Sequence, residues 1–218
     1  MTVNVSVIIP TYNRPELLER ALKSVAEQTF QDYEIIVVND FGVDVKAIVD
    51  KFDNAIYIQH DFNHGLAGTR NTGIKAAKGK YITFLDDDDV LFSNHFQTLV
   101  DEMNKGARLA YTDAYWWIND KEYKKVLSED YNKDKLLQRN LFPVMCAMID
   151  RDLFDGCMFD EALKSHEDYD LWLRMSDKTK FVHIPVFTAA YSNRVGDDQI
   201  SKQDYHTPMR TYVQDRYN

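Results

Sequence analysis

An α/β fold on a mostly parallel sheet is what this sequence predicts, and three observations carry that expectation. Near-continuous apolar runs such as Val5-Ser6-Val7-Ile8-Ile9 and Glu34-Ile35-Ile36-Val37-Val38 recur through roughly the first ninety residues. Strands covered on both faces read this way, whereas half-solvated strands alternate. Segments of helical period separate these runs, as a βαβ chain requires. Three polar clusters then fall at the carboxyl ends of the strands, where open parallel sheets bind ligands: Pro10-Thr11-Tyr12-Asn13, Asn39-Asp40, and Asp86 to Asp89.

The elements follow in order. Residues 5–9 form a buried strand stopped by Pro10, and Leu17, Leu18, Ala21, Leu22 and Val25 recur at helical spacing behind Pro15. Residues 34–38 form the second strand, 43–52 a second helix and 56–58 a third strand. Residues 65–77 read as a helix with a Gly-rich entry, and 81–85 as the fourth strand. In the second half, 93–103 and 167–175 are helical, and 110–118 and 145–149 are strands. Residues 127–140 are charged and partly helical, and 181–191 hold one or two short strands. The chain divides into a regular α/β half at about 1–90, a differently patterned half at about 91–195 and a polar, mobile tail at about 196–218, all within one domain of 218 residues.

Composition excludes several classes. The apolar content of 44% rules out a disordered chain, and a net charge of −9 argues against nucleic acid, which selects a basic stripe. Cys146 and Cys157 lack metal-ligand spacing and read as reduced core thiols. No apolar run reaches the ~18 residues of a membrane span, and the first residues lack a basic, apolar leader. The expectation is a cytoplasmic protein with, at most, peripheral association with the inner face of the membrane.

Several residues carry chemistry. Four consecutive carboxylates, Asp86, Asp87, Asp88 and Asp89, directly follow an apolar strand. They read either as a solvated acidic loop or as ligands for a hard divalent cation such as Mg²⁺ or Mn²⁺. Asp40 reads as a turn acid or as a reader of a nucleobase or ribose. Arg70 lies near a helix start among Gly65, Gly68 and Gly73, where backbone amides and a guanidinium suit phosphate. Glu167 and Asp168 open a helix, as helix-capping acids or as a general base.

Taken together, these pieces resemble the inverting family 2 glycosyltransferases. The matching segments are Ser6 to Arg14, Ser24-Val25-Ala26-Glu27-Gln28-Thr29-Phe30, Glu34 to Asp40, Gly65 to Gly73, Ala77 to Ile82, the acidic tetrad, and Glu167 to Arg174. The resemblance implies a GT-A, Rossmann-like fold: a mostly parallel central sheet flanked by helices, with a smaller mixed sheet on the acceptor side, so that about 1–90 would be the nucleotide-binding half and about 91–195 the acceptor-binding half. It implies metal-dependent, inverting transfer of a sugar from a nucleotide sugar, a UDP-sugar first, to a glycan or lipid-linked acceptor in cell-surface polysaccharide biosynthesis. Pro10, Thr11, Tyr12 and Arg14 would line the nucleotide pocket, Asp40 would read the base, and Arg70 would approach the diphosphate. Asp86 and Asp87 would face ribose or metal, Asp88 with Asp86 would hold Mn²⁺ or Mg²⁺, and Asp89 would support them. Asp168 would be the catalytic base, with Glu167 in reserve.

Trp116, Trp117 and His166 are candidate acceptor contacts, and His183 or His206 a candidate third metal ligand. The chain departs from the family at Asn39-Asp40-Phe41-Gly42, where Gly-Ser commonly follows the acid, which bears on nucleobase choice. Competing readings are an inactive nucleotide-sugar binding module and a sugar-nucleotide nucleotidyltransferase. The latter favours a Gly- and Arg/Lys-rich loop after the first strand, which Pro10-Thr11-Tyr12-Asn13 does not resemble.

Overall fold

The computed structural model describes residues 3–118, 122–125, 129–193 and 206–217. Strands β1 (Val5–Thr11), β2 (Tyr33–Asn39), β3 (Ala55–Gln59) and β4 (Tyr81–Phe84) pair in the order β3-β2-β1-β4, all parallel. β1 and β2 are buried along their whole length, the physical origin of their unbroken apolar sequence. The remaining strands are β5 (Val90–Leu91), β6 (Leu109–Ile118), β7 (Glu122–Lys125), β8 (Ala147–Asp150) and β9 (Val182–Asn193). They extend the same sheet past β4 in the order β8-β6-β9-β5, with β7 on β6, and here parallel and antiparallel pairs mix.

Helices α1 (Pro15–Ala26), α2 (Lys46–Val49), α3 (Gly65–Ala76), α4 (His95–Met103), α5 (Lys133–Gln138), α6 (Glu167–Ser176) and α7 (His206–Tyr217) connect or flank these strands. α1 buries Leu18, Ala21, Leu22 and Val25, the apolar stripe of its sequence. α3 lies close over β1 because Gly73 has no side chain. A Cβ there would stand 2.3 Å from Cγ2 of Ile8. That approach sets the start of α3, and with it Arg70, over the carboxyl ends of the strands.

The structure departs from the sequence expectation in several places. The helix expected over 43–52 is only α2, because Asn39 holds the preceding loop: its Oδ1 accepts from the Gly42 N–H at 2.9 Å and its Nδ2 donates to the Val43 carbonyl at 2.7 Å. In place of one or two short strands over 181–191, residues 182–193 form one twelve-residue strand, β9. Its pairing with β6 slips where Thr112 faces Ile184 but Asp113 faces Phe187, beside Pro185, which has no N–H for the ladder. The two-residue β5 and the β7 hairpin strand were not expected.

The tail also differs from expectation. Residues 206–217 form α7, with Val213 fully buried. Residues 194–205 and 218, and the side chain of His206, lie outside the described residues. Cys146 and Cys157 are buried free thiols. Among the described residues, no helix is long and apolar enough to cross a membrane.

Candidate active site

One cavity of about 1220 Å³ opens at the carboxyl edge of the sheet. Its lining joins Pro10 and Thr11 at the end of β1, Tyr12 and Arg14 just past it, Asp40 after β2, Arg70 on α3 and Asp86 to Asp89 after β4 with His166, Glu167 and Asp168 at the start of α6. Pro10 and Asp168, 158 positions apart in sequence, therefore meet in one cleft. Trp116 also lines it and is 44% exposed. Trp117 points elsewhere, as alternation along a strand demands: the Arg20 guanidinium stacks on its ring at 4.4 Å. The expected tryptophan pair is thus split between cavity and support. His183 is not in the cavity, since its ring nitrogens meet Asp113 at 2.8 Å and Asp130 at 3.0 Å.

The tetrad alternates in burial. Asp87 and Asp89 are buried, whereas the side chains of Asp86 and Asp88 keep 26% and 14% exposure. Asp87 accepts from Thr11 Oγ1 at 2.7 Å and from Arg14 Nη1 at 3.1 Å. Burial nonetheless pushes its carboxyl up to about 6, against the pull of Arg14. Asp89 accepts the Ser192 N–H at 2.7 Å, its Oδ2 has no hydrogen-bond partner among the described residues, and burial holds its carboxyl well above the usual range. The Asp88 carboxylate meets Arg14 at 3.3 Å, and its carbonyl accepts from Arg20 at 2.7 Å.

This donor set suits a hard cation that takes one or two protein carboxylates and fills its shell with phosphate and water. Asp86 and Asp88 are the pair available for it. Among the described residues, no cluster of three or more His, Cys, Asp or Glu side chains could hold an ion unaided.

Arg70 is 1% exposed and bridges the two acidic regions. Nη2 donates to Asp86 Oδ1 at 2.6 Å and Nη1 donates to Glu167 Oε1, while the guanidinium sits 5.4 Å from the Phe159 ring centre. Both terminal nitrogens are engaged by carboxylates, and Arg70 lines the cavity between the two acidic regions. Asp86 and Glu167 raise its proton affinity further against the opposing effect of burial.

Asp168 stands beside Glu167 on the cavity wall. Its Oδ1 accepts the Tyr169 N–H at 2.7 Å and its Oδ2 the Asn140 amide at 2.9 Å. Burial, with Glu167 repulsion second, raises its carboxyl to about 7 despite Arg70. A half-buried carboxyl poised near neutrality can exchange a proton with a ligand at working pH. His166 enters α6 in the left-handed region at φ 59° and accepts or donates at 3.1 Å with Ser165.

At the opposite end, the Asp40 carboxylate accepts the His64 N–H at 2.7 Å and the Gly65 N–H at 2.9 Å, and meets His60 Nδ1 at 2.9 Å. It anchors the start of α3, as the turn-acid reading expects, and lines the cavity as well. Sequence reasoning missed Arg20, His64, Asn140 and Tyr191. Only His64 carried a signal, its place directly before Gly65; the others reach the site through tertiary packing.

Residues 6–158 match the family model described as "Glycosyl transferase family 2". The chain is 30% identical over 191 residues to the GalNAc(5)-diNAcBac-PP-undecaprenol beta-1,3-glucosyltransferase of Campylobacter jejuni, covering 82% of this chain and 62% of that protein. It is 30% identical over 235 residues to the uncharacterized glycosyltransferase EpsJ of Bacillus subtilis, covering 98% of this chain and 67% of the relative. A Rickettsia bellii uncharacterized glycosyltransferase, 33% identical, is matched over only 26% of its length, so the chain spans part of the relatives it resembles. In fold it is similar to S. aureus TarS 1-349 in complex with UDP-GlcNAc, with a TM-score of 0.80 at 20% identity over 96% of this chain and 65% of that one. By its sequence match and its GT-A architecture, the chain belongs to glycosyl transferase family 2.

Proposed function

We propose that this chain carries out metal-dependent, inverting transfer of a sugar from a UDP-sugar to a hydroxyl of a glycan or lipid-linked acceptor in cell-surface polysaccharide biosynthesis. One observation carries the reading: a single cavity is lined both by Asp86 and Asp88 and, across the Arg70 bridge, by Asp168. The printed names of relatives support the substrate class. The Campylobacter protein is a glucosyltransferase named for an undecaprenol diphosphate-linked glycan, and the TarS structures are complexes with UDP and UDP-GlcNAc.

In this reading Pro10, Thr11, Tyr12, Arg14 and Asp40 bind the nucleoside, with Asp40 meeting the base and Asp87 the ribose. Asp86 and Asp88 would hold Mn²⁺ or Mg²⁺, and the bound ion would neutralise charge gained by the departing diphosphate. Asp168 takes the acceptor hydroxyl's proton as attack begins, help worth roughly 10²–10⁴-fold. One base on the attacking side, with no second carboxylate serving as nucleophile, gives direct displacement with inversion. Glu167, held by Arg70, raises the proton affinity of Asp168 and keeps it selective for a bound acceptor. Trp116 offers an aromatic face to the acceptor sugar. The work is done in the cytoplasm or at the inner membrane face, by peripheral contact where the acceptor is lipid-linked.

Calorimetric titration of UDP, GDP, dTDP and CDP, with Mn²⁺ and then with EDTA, tests this directly. Metal-dependent binding of UDP alone is expected, lost in Asp88→Ala. Binding that survives EDTA would remove the metal assignment. No binding of any nucleotide would remove the transferase reading.

A further inference from the structure

Each oxygen of the Asp168 carboxylate receives one hydrogen bond. Oδ1 takes the N–H of Tyr169, the next residue in the chain, at 2.7 Å. Oδ2 takes the side-chain amide of Asn140 at 2.9 Å. Among the described residues, Asn140 is the one side chain that hydrogen-bonds this carboxylate.

Asn140 comes from a separate part of the chain, just past α5, and lines the same cavity. Its placement is secured on both sides. Leu136 of α5 is fully buried, and the Leu137 carbonyl accepts the Tyr169 hydroxyl at 2.9 Å, tying α5 to α6. The amide end facing Asp168 is the donor end, since an ionised carboxylate can only accept. Among the described residues, its other end, Oδ1, is buried without a hydrogen-bond partner, and the contact to Asp168 is the hydrogen bond this side chain makes.

We propose, on the reading of Asp168 as the base, that Asn140 is its positioning residue: the amide fixes Oδ2 so that the remaining lone pair faces the acceptor hydroxyl, and it favours the ionised carboxylate over the acid. The other groups acting on Asp168 are Glu167 on its own helix, Arg70 on α3 with Asp86 behind it, and Tyr191 on β9. Glu167 raises the proton affinity of Asp168, while Arg70, the Tyr169 N–H and Asn140 lower it. Of the three that lower it, only Asn140 can be removed without unpairing a buried charge or altering the backbone.

The test follows the Asp168 carboxyl itself in the full chain. With ¹³C-labelled aspartate, the resonance that vanishes in Asp168→Asn is titrated in the parent, Asn140→Ala and Asn140→Asp. A midpoint near 7 in the parent is expected to rise by about one unit in Asn140→Ala, at the low end of one hydrogen bond to a charged group. It should rise further in Asn140→Asp, which preserves the side chain's shape and carries the test should the alanine variant not fold. An unchanged or lower midpoint in the folded variant overturns the proposal.

Turnover supplies the second readout, as UDP released from UDP-GlcNAc or UDP-glucose. Asn140→Ala should lose about fivefold at pH 7, the fall in ionised fraction that a one-unit rise gives, and recover at pH 9. An equal loss at both pH values would mean a merely structural role and would also overturn it. Failure of the base assignment looks different: Asp168→Asn would keep its turnover, while the carboxyl titration still reports on the Asn140 contact.

Discussion

The two acidic regions of the cavity are built from the same residue types and held in opposite ways. At the tetrad, the buried members Asp87 and Asp89 have raised proton affinity, while Asp86 and Asp88 remain at the cavity surface beside Arg70 and Arg14. At the start of α6 the arrangement reverses. Glu167 is the buried acid and takes the arginine, and the cavity-facing Asp168 is the one lifted to about 7. Placement relative to a shared guanidinium, and not acid identity, separates carboxylates suited to a cation from one suited to a proton.

Removing the shared guanidinium breaks that comparison most severely. Arg70→Met leaves Asp86 and the buried Glu167 facing each other without a cation, and losing one partner of a buried pair costs about 3–5 kcal/mol. Denaturant unfolding should show that loss. A change below about 1 kcal/mol would mean that water reaches the pair and that the two acids are not coupled through Arg70.

The next largest effect falls on the base alone. Asp168→Asn keeps the Tyr169 N–H contact and the shape of the wall but cannot accept the acceptor proton. Turnover should fall at least a hundredfold, roughly the low end of general-base help, with donor affinity unchanged. Near-normal turnover would move the role to Glu167, despite its bond to Arg70.

A smaller effect comes from pH. Asp168 has a folded value of about 7 against an ordinary 3.8, so the acid is the dominant form below 7 and the base is formed as pH rises through it. Activity should be low at pH 5.5, reach half its plateau near 7 and level off above 8, and the rising limb should be absent in Asp168→Asn. A limb centred near 4 would mean that the carboxyl is solvated in the working enzyme. Stability carries the opposite sign. Unfolded Asp168 releases its proton near 3.8 but folded Asp168 near 7, so this group's contribution to stability declines between those values and is least above 7.

The cavity wall at the ends of β1, β2 and β4 was legible because regular structure produces it. Continuous apolar strands announced β1, β2 and β4, and Thr11, Asp40 and the tetrad line the cavity at their carboxyl ends. Local order also announced α6 and its acids. The acceptor side was less legible because its geometry arises from irregularity. The slip of β9 at Pro185, the brief pairing of β5 and the loop that delivers Asn140 have no periodic signature. Arg20 sits on an ordinary amphipathic helix, and its reach to the Asp88 carbonyl and stack on Trp117 are set by tertiary packing. The polar sequence of the tail concealed α7 because that helix is anchored by polar contacts around one buried apolar residue, Val213.

That anchor supplies the mildest prediction. Asp170, on the same helix as Asp168, is fully buried and neutralised by Arg174 at 2.6 Å and Arg216 at 3.2 Å, and it accepts the Tyr217 hydroxyl at 2.7 Å. Arg216 reaches on to Asp160 at 2.7 Å, so α7 fastens the back of α6 to the loop that borders the cavity. Tyr217→Phe removes one hydrogen bond from a carboxylate that keeps two cations, and should cost about 1 kcal/mol, with turnover unchanged. Loss of turnover at constant stability would show instead that α7 aligns the helix carrying Asp168, and would extend the machinery of the base to the far end of the chain.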